Sequence, residues 1–409
     1  MNDNNTATPS APVFKAMLCA CASSVLVLMA YDFARTCAAS LFITRFGSGN
    51  MLYAMTIAPF FIAAMVYAYG RLLSTLGGRK AMLASHLSCG AIFLALYAGV
   101  KAGSAAATVA LYIFAEAYIV VLVEQYWSFF NSILSGLQAK TWNGPITGAA
   151  ALGPIMGGYI VKHYAAAVGT EQFILLAGLF ALPAALLFLQ SFRLAGEPQP
   201  AQEEKGGAMG HLHLGLFRSN RTLVFIAAII CLSQAVAVAV NLKFYAMVEN
   251  AIPLQDARTS YIGGMWFWVQ TAGTAVQFLV TPAVLRIFSP APVMIFVPLV
   301  NIAASCWLLT APTLLSSTLA LGLFKTFDYS IFRAAKETYY IPLSYDARFR
   351  AKQVIDSFLN RFSKGATAGG LALAQFAGLS SQALLLPLAA LAASLCWMVA
   401  AMKLNRLSK

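Results

Sequence analysis

"RLAGEPQPAQEEKGGAMGHLHLGLFRSNR", residues 193–221, is the only long polar stretch in a 409-residue chain that is 60% hydrophobic and 10% charged. It is rich in Pro, Gly and Gln and mixes both signs of charge, so it reads as a cytoplasmic linker. Outward from it, six apolar segments lie on each side: 15–43, 51–72, 81–100, 105–134, 144–164 and 171–192 before it, and 222–247, 260–285, 291–309, 313–341, 353–378 and 380–402 after it. About 20 apolar residues span a bilayer as a helix, because lipid offers no partners for bare backbone groups. The mean hydropathy of +0.74 agrees. The expected fold class is an all-α membrane protein of twelve transmembrane helices, a 6+6 pseudo-symmetric bundle with both termini cytoplasmic. Its parts are a tail (1–13), a six-helix bundle (14–192), the linker (193–221), a second six-helix bundle (222–403) and a short tail (404–409). The predicted break between 285 and 291 falls at "IFSPAPV" (287–293), which leaves little room for a loop.

The net charge of +13 raises the question of nucleic acid. Its distribution answers it. In that topology the cytoplasmic loops and tails carry sixteen Lys and Arg, and the outside loops carry four: Arg45, Lys101, Lys162 and Arg258. This is the positive-inside bias of a bacterial inner-membrane protein, and the lipid bilayer, not nucleic acid, is the partner it implies. The seven cysteines fall inside predicted spans without a Cys-x-x-Cys pair, so they read as packing residues. His211 and His213 share the linker, where a solvated loop is the plainer reading than a metal site. No cofactor and no metal are expected. No cleavable signal peptide is evident at the start.

The halves resemble each other. "YWSFFNSILSGLQAKTWNG" (126–144) follows the scheme of "DYSIFRAAKETYYIPLSYDARFRAKQVID" (328–356): an aromatic-Ser-x-Phe-polar word ends one helix and Ala-Lys opens the next. Two parallel six-span halves are a transporter architecture.

Thirteen charged residues fall inside predicted spans, ten of them in spans 1, 4, 7 and 10. A charge within the membrane is costly, so it faces a partner or water and is a functional candidate by default. The proposed substrate-binding set is Arg35, Glu116, Glu124, Trp127, Asn131, Lys243, Lys325, Asp328, Arg361 and Lys364. Lys325 with Asp328 (i,i+3) and Arg333 with Glu337 (i,i+4) share helix faces, and Asp356, Asn360 and Lys364 form an i,i+4,i+8 stripe. Arg333, Glu337 and Asp356 are candidate gating salt bridges. The basic residues outnumber nearby acids, and Arg suits bidentate contact with phosphate or carboxylate, which favours a small anionic substrate. Asp32, Glu116 and Glu124 are candidates for proton or cation coupling, and the partner of the solute is either a proton or a counter-substrate.

The placement of charge on spans 1, 4, 7 and 10 resembles the major facilitator superfamily, whose central cavity these helices line. "GRLLSTLGGRK" (70–80) is similar to its loop between spans 2 and 3, with Ser74 where an Asp is usual. "GPIMGG" (153–158) resembles the glycine core of antiporter members. Two further segments resemble the ATP:ADP antiporter (nucleotide translocase) family and its short bacterial relatives. One is "AEAYIVVLVEQYWSFFNSILSGLQAKTWNGPITGAAALGPIMGG" (115–158). The other holds Lys336-Glu337-Thr338-Tyr339-Tyr340-Ile341-Pro342-Leu343 and the run Arg348 to Asp356, followed by Ser363-Lys364-Gly365. The resemblance implies exchange of nucleotides or phosphorylated metabolites through Glu116, Arg35 and the basic residues of spans 10 and 11. Asn241 stands where nucleotide carriers have an acid in span 7.

No Walker A sequence, Gly-x-Gly-x-x-Gly loop or His-Glu-x-x-His helix is present, so neither ATP-driven pumping nor soluble-type catalysis is supported. The reading is a secondary-active transporter working by alternating access, not an enzyme. The alternative is a proton-coupled permease or exporter for another solute, such as a siderophore, peptide or drug.

Overall fold

The structure, a computed structural model, describes residues 8–197, 220–341, 354–378 and 382–407; all regular elements among them are helical. The linker from 198 to 219 with its two histidines, and the loop bearing Arg348, Arg350 and Lys352, lie outside the described residues.

The helices are α1 (Ala11–Phe46), α2 (Met51–Lys101), α3 (Ala105–Ile133), α4 (Gly136–Val168), α5 (Gln172–Ala195), α6 (Arg221–Ala251), α7 (Gln255–Ala275), α8 (Thr281–Ile287), α9 (Pro290–Thr310), α10 (Leu314–Phe327), α11 (Arg333–Thr338), α12 (Asn360–Phe376) and α13 (Gln382–Leu407). π turns at Val276–Val280, Asp328–Phe332 and Val354–Leu359 join α7 to α8, join α10 to α11 and lead into α12. Among the described residues, eight helical stretches are long and apolar enough to cross a membrane. One of them, Ser48–Lys101, runs 54 residues. At 1.5 Å per residue it is about 80 Å long, enough for two crossings of a core about 30 Å thick. It breaks at Gly77, whose φ of 76° suits a residue without Cβ. The Glu197 carboxylate accepts from the Arg79 N–H at 3.0 Å, capping the helix that restarts there.

Local sequence sets the other ends. Ser135 and Gln138 form a capping box at the start of α4, and Thr313 and Ser316 do so for α10. The tight "IFSPAPV" break holds because Phe288 and Ser289 are extended and Pro290 opens α9, where no N–H is needed.

The described residues form two compact units. The first holds those up to Arg45, those from Phe60 to Glu197, and Leu254–Phe267. The second holds Phe46–Pro59, those from Asn220 to Pro253, and those from Trp268 onward. In the first, Tyr126 stacks on Phe188 at 4.3 Å and Phe33 meets Phe173 edge-on at 5.3 Å. In the second, α6 packs on α10, α12 and α13, and α9 packs on α10, α11 and α13. Trp397 is fully buried there against Phe332. Tyr339 donates its hydroxyl hydrogen to Asn405 Oδ1, and Asn405 Nδ2 reaches the Ala291 carbonyl at 3.0 Å.

Candidate functional site

In the first unit the charge centres on α1. Asp32 is fully buried, and Arg35, one turn on, is 8% exposed. Arg35 Nε donates to Asp32 Oδ1 at 2.6 Å, and Nη2 bonds the same oxygen. The guanidinium lies 3.7 Å from the Trp266 ring centre and 5.0 Å from that of Tyr31, so two aromatic faces share its charge. The glycines of "GPIMGG" make this approach feasible. A Cβ at Gly157 would fall 2.8 Å from Asp32 Cβ, and one at Gly158 would fall 2.8 Å from the Phe267 nitrogen and 3.0 Å from Asp32 Oδ2. That Oδ2 is buried without a hydrogen bond.

Glu116, Glu124, Trp127 and Asn131 fall within one narrow arc of α3, by its 3.6-residue repeat. It is the less buried arc: Glu116 and Trp127 are half-buried, Glu124 and Asn131 exposed. Leu111, Ala115, Tyr118, Leu122 and Phe129, on the opposite side, are buried.

In the second unit, Lys325, Asp328, Arg361 and Lys364 are all half-buried. Lys325 Nζ sits 5.3 Å from the ring centres of both Phe324 and Tyr329. Asp328 opens a π turn that packs on the other π turn at Val276–Val280. Such turns recur at functional sites because they displace the backbone locally.

Three expectations need correction. Lys243 is 1% exposed, and its Nζ donates to the Ala383 carbonyl at 3.1 Å, so its charge is held inside the unit instead of being presented to a solute. The Arg333–Glu337 pairing is replaced: Arg333 is exposed, and Lys336 holds Asp356 at 2.5 Å and Glu337 at 3.9 Å. Asp356 lies in the π turn Val354–Leu359 and Asn360 and Lys364 in α12, and all three are half-buried. Arg258, counted among outside-loop cations, is 4% exposed, and its Nη1 donates to Thr44 Oγ1 at 3.0 Å.

Sequence reasoning missed Trp266 and two carboxylates, Glu249 and Asp256. Glu249 accepts from Ser48, and Asp256 from Thr170. Gly47-Ser48 and Gly169-Thr170 were the available signal, since Gly followed by a hydroxyl residue marks a turn that can be capped.

The model of the TLC ATP/ADP transporter family matches residues 242–407. No curated protein matches the chain. Among solved structures, a mutant of the nucleoside transporter NupG is 15% identical with a TM-score of 0.68, covering 96% of this chain and 100% of that one. A D-xylose–proton symporter is 14% identical with a TM-score of 0.65, covering 96% of this chain and 97% of that one. The peptide transporter POT is 13% identical with a TM-score of 0.65, covering 96% of this chain and 95% of that one. The chain therefore shares the fold of these transporters, and family model and fold together support a membrane transporter, not an enzyme.

Proposed function

We propose that this protein is a secondary-active transporter of a small organic anion, with nucleotides and phosphorylated metabolites the leading class. It would cross a bacterial inner membrane twelve times, with both termini cytoplasmic, and work by alternating access of its two halves. The observation that carries the reading is the match to the TLC ATP/ADP transporter model over 242–407, the region that holds Lys325, Arg361 and Lys364. The Arg35 guanidinium between Trp266 and Tyr31 supports it: a planar cation beside aromatic faces suits a phosphate carried on a flat base. Reconstituted protein preloaded with ATP should take up external labelled ADP in exchange; no exchange removes nucleotides from the candidates.

A second reading, proton-coupled uptake of another solute, is favoured by Asp32, a fully buried carboxyl with one oxygen lacking a hydrogen bond. Uptake without counter-substrate, collapsed by a proton ionophore, would establish it over exchange.

A further inference from the structure

His86, Tyr126, Ser23 and Ala184 come from α2, α3, α1 and α5 of the first unit and join in one buried chain. His86 Nδ1 is 3.0 Å from the Met82 carbonyl oxygen, and Nε2 is 3.1 Å from the Tyr126 hydroxyl. That hydroxyl is 2.6 Å from Ser23 Oγ, which is 2.6 Å from the Ala184 carbonyl oxygen. His86 and Ser23 are fully buried and Tyr126 is 4% exposed, so bulk solvent does not reach the chain.

Four contacts need four hydrogens. Both ends are carbonyl oxygens, which only accept. Tyr126 and Ser23 bring one hydrogen each. A neutral imidazole brings one more, which makes three and leaves one contact with lone pairs facing each other. An imidazolium brings two. Then Nδ1–H donates to Met82, Nε2–H to Tyr126, the Tyr126 hydroxyl to Ser23, and Ser23 to Ala184, with every group matched. We propose that His86 is a proton-binding site, loaded when both ring nitrogens donate into this chain.

The small cavity beside the ring is lined by Val27, Cys89, Phe93 and Tyr118 among others, and among the described residues no carboxylate, ammonium or guanidinium lines it. The titratable neighbours are the Cys89 thiol on α2 and the Tyr118 and Tyr126 phenols on α3; α1 presents Ser23, Val27 and Ala30, and α5 presents Phe188 and Ala181. A proton here is held by hydrogen bonds alone, against the cost of burying a cation. A shift of α3 against α2 that opens the Nε2–Tyr126 contact takes away one acceptor and releases it. The site thus ties proton occupancy to helix position within the unit, whatever solute is carried.

The test is 15N NMR of the full chain, labelled at histidine and reconstituted in lipid. Four histidines contribute, and His86 is identified by the signal lost in H86Q. Both His86 ring nitrogens should become protonated on acidification. Tyr126→Phe, which keeps the ring but removes the acceptor, should weaken proton binding about tenfold. If H86Q does not accumulate, the signal that moves in Y126F makes the assignment. An imidazole that keeps a single proton throughout in folded protein, or a titration that Y126F leaves unmoved, overturns the proposal. ATP/ADP exchange plays no part in this measurement, so its failure leaves the proposal standing.

Discussion

Glu249 accepts two hydrogen bonds from Ser48 through a single oxygen, from the backbone N–H at 2.9 Å and from the hydroxyl at 2.5 Å. Asp256 repeats the arrangement on Thr170, at 2.8 and 2.6 Å. In both places the donor follows a glycine with positive φ, 78° at Gly47 and 90° at Gly169. Each glycine turns the chain and the carboxylate satisfies the amide that the turn leaves open. Glu249→Gln, which keeps an acceptor but loses the charge, should lower stability by about 1–2 kcal/mol, and Ser48→Ala by about 1 kcal/mol. Thermal unfolding in detergent reads both, and unchanged midpoints would remove the capping role.

The glycine face of α4 makes a sharper prediction. Gly157→Ala places a methyl 2.8 Å from Asp32 Cβ and 3.0 Å from the Met29 carbonyl oxygen. Overpacking of this kind costs about 1–3 kcal/mol and should displace the Asp32–Arg35 pair. Gly144→Ala, with nothing within 4 Å of the new methyl, is the control on the same helix. Equal expression and unfolding temperature for the two variants would contradict the close approach.

Lys336 and Asp356 should couple. Neutralising either one leaves the other without its closest charge, whereas the double variant K336Q/D356N removes both. A double-mutant cycle on unfolding should give a coupling of about 1 kcal/mol. Additivity would mean that the contact adds nothing to stability.

Lys243 and Lys325 should part ways. Lys243→Met should reduce folded yield, because it leaves the Ala383 carbonyl without its donor: Pro387, four residues on in the helix, has no N–H to offer it. Lys325→Gln should leave folding intact and weaken ADP-dependent thermal stabilisation severalfold, as expected for a lost contact to phosphate. If K325Q is stabilised by ADP like the parent protein, Lys325 belongs to the structural set.

Helices and their breaks were legible because they rest on local rules. Apolar length marked the segments, while the caps at Ser135 and Thr313 and the start at Pro290 follow equally local rules that were not read from the sequence. The glycine word 153–158 was legible as a packing face, though not what it packs on, because Asp32 and Phe267 lie far away in sequence. The charge pairs were read from spacing along one helix, whereas Lys336 takes its partner Asp356 from a different element, twenty residues on. Lys243 carried no local sign of its carbonyl partner, which is 140 residues on. His86 was invisible for a related reason: its partners come from helices α1, α3 and α5, and a lone histidine on an apolar helix announces nothing.

A π turn amounts to one surplus residue carried by an otherwise regular helix, and the three described here all fall in the second unit. Each is therefore a place where kin of this protein can drop a residue without breaking the helix. Excising one position from Asp328–Phe332 would restore a regular α-helical turn there and leave the side chains after it, Lys336 included, facing much as they do now. Length changes at these turns are thus a route by which the lineage could shorten the helix without re-aiming its basic side chains.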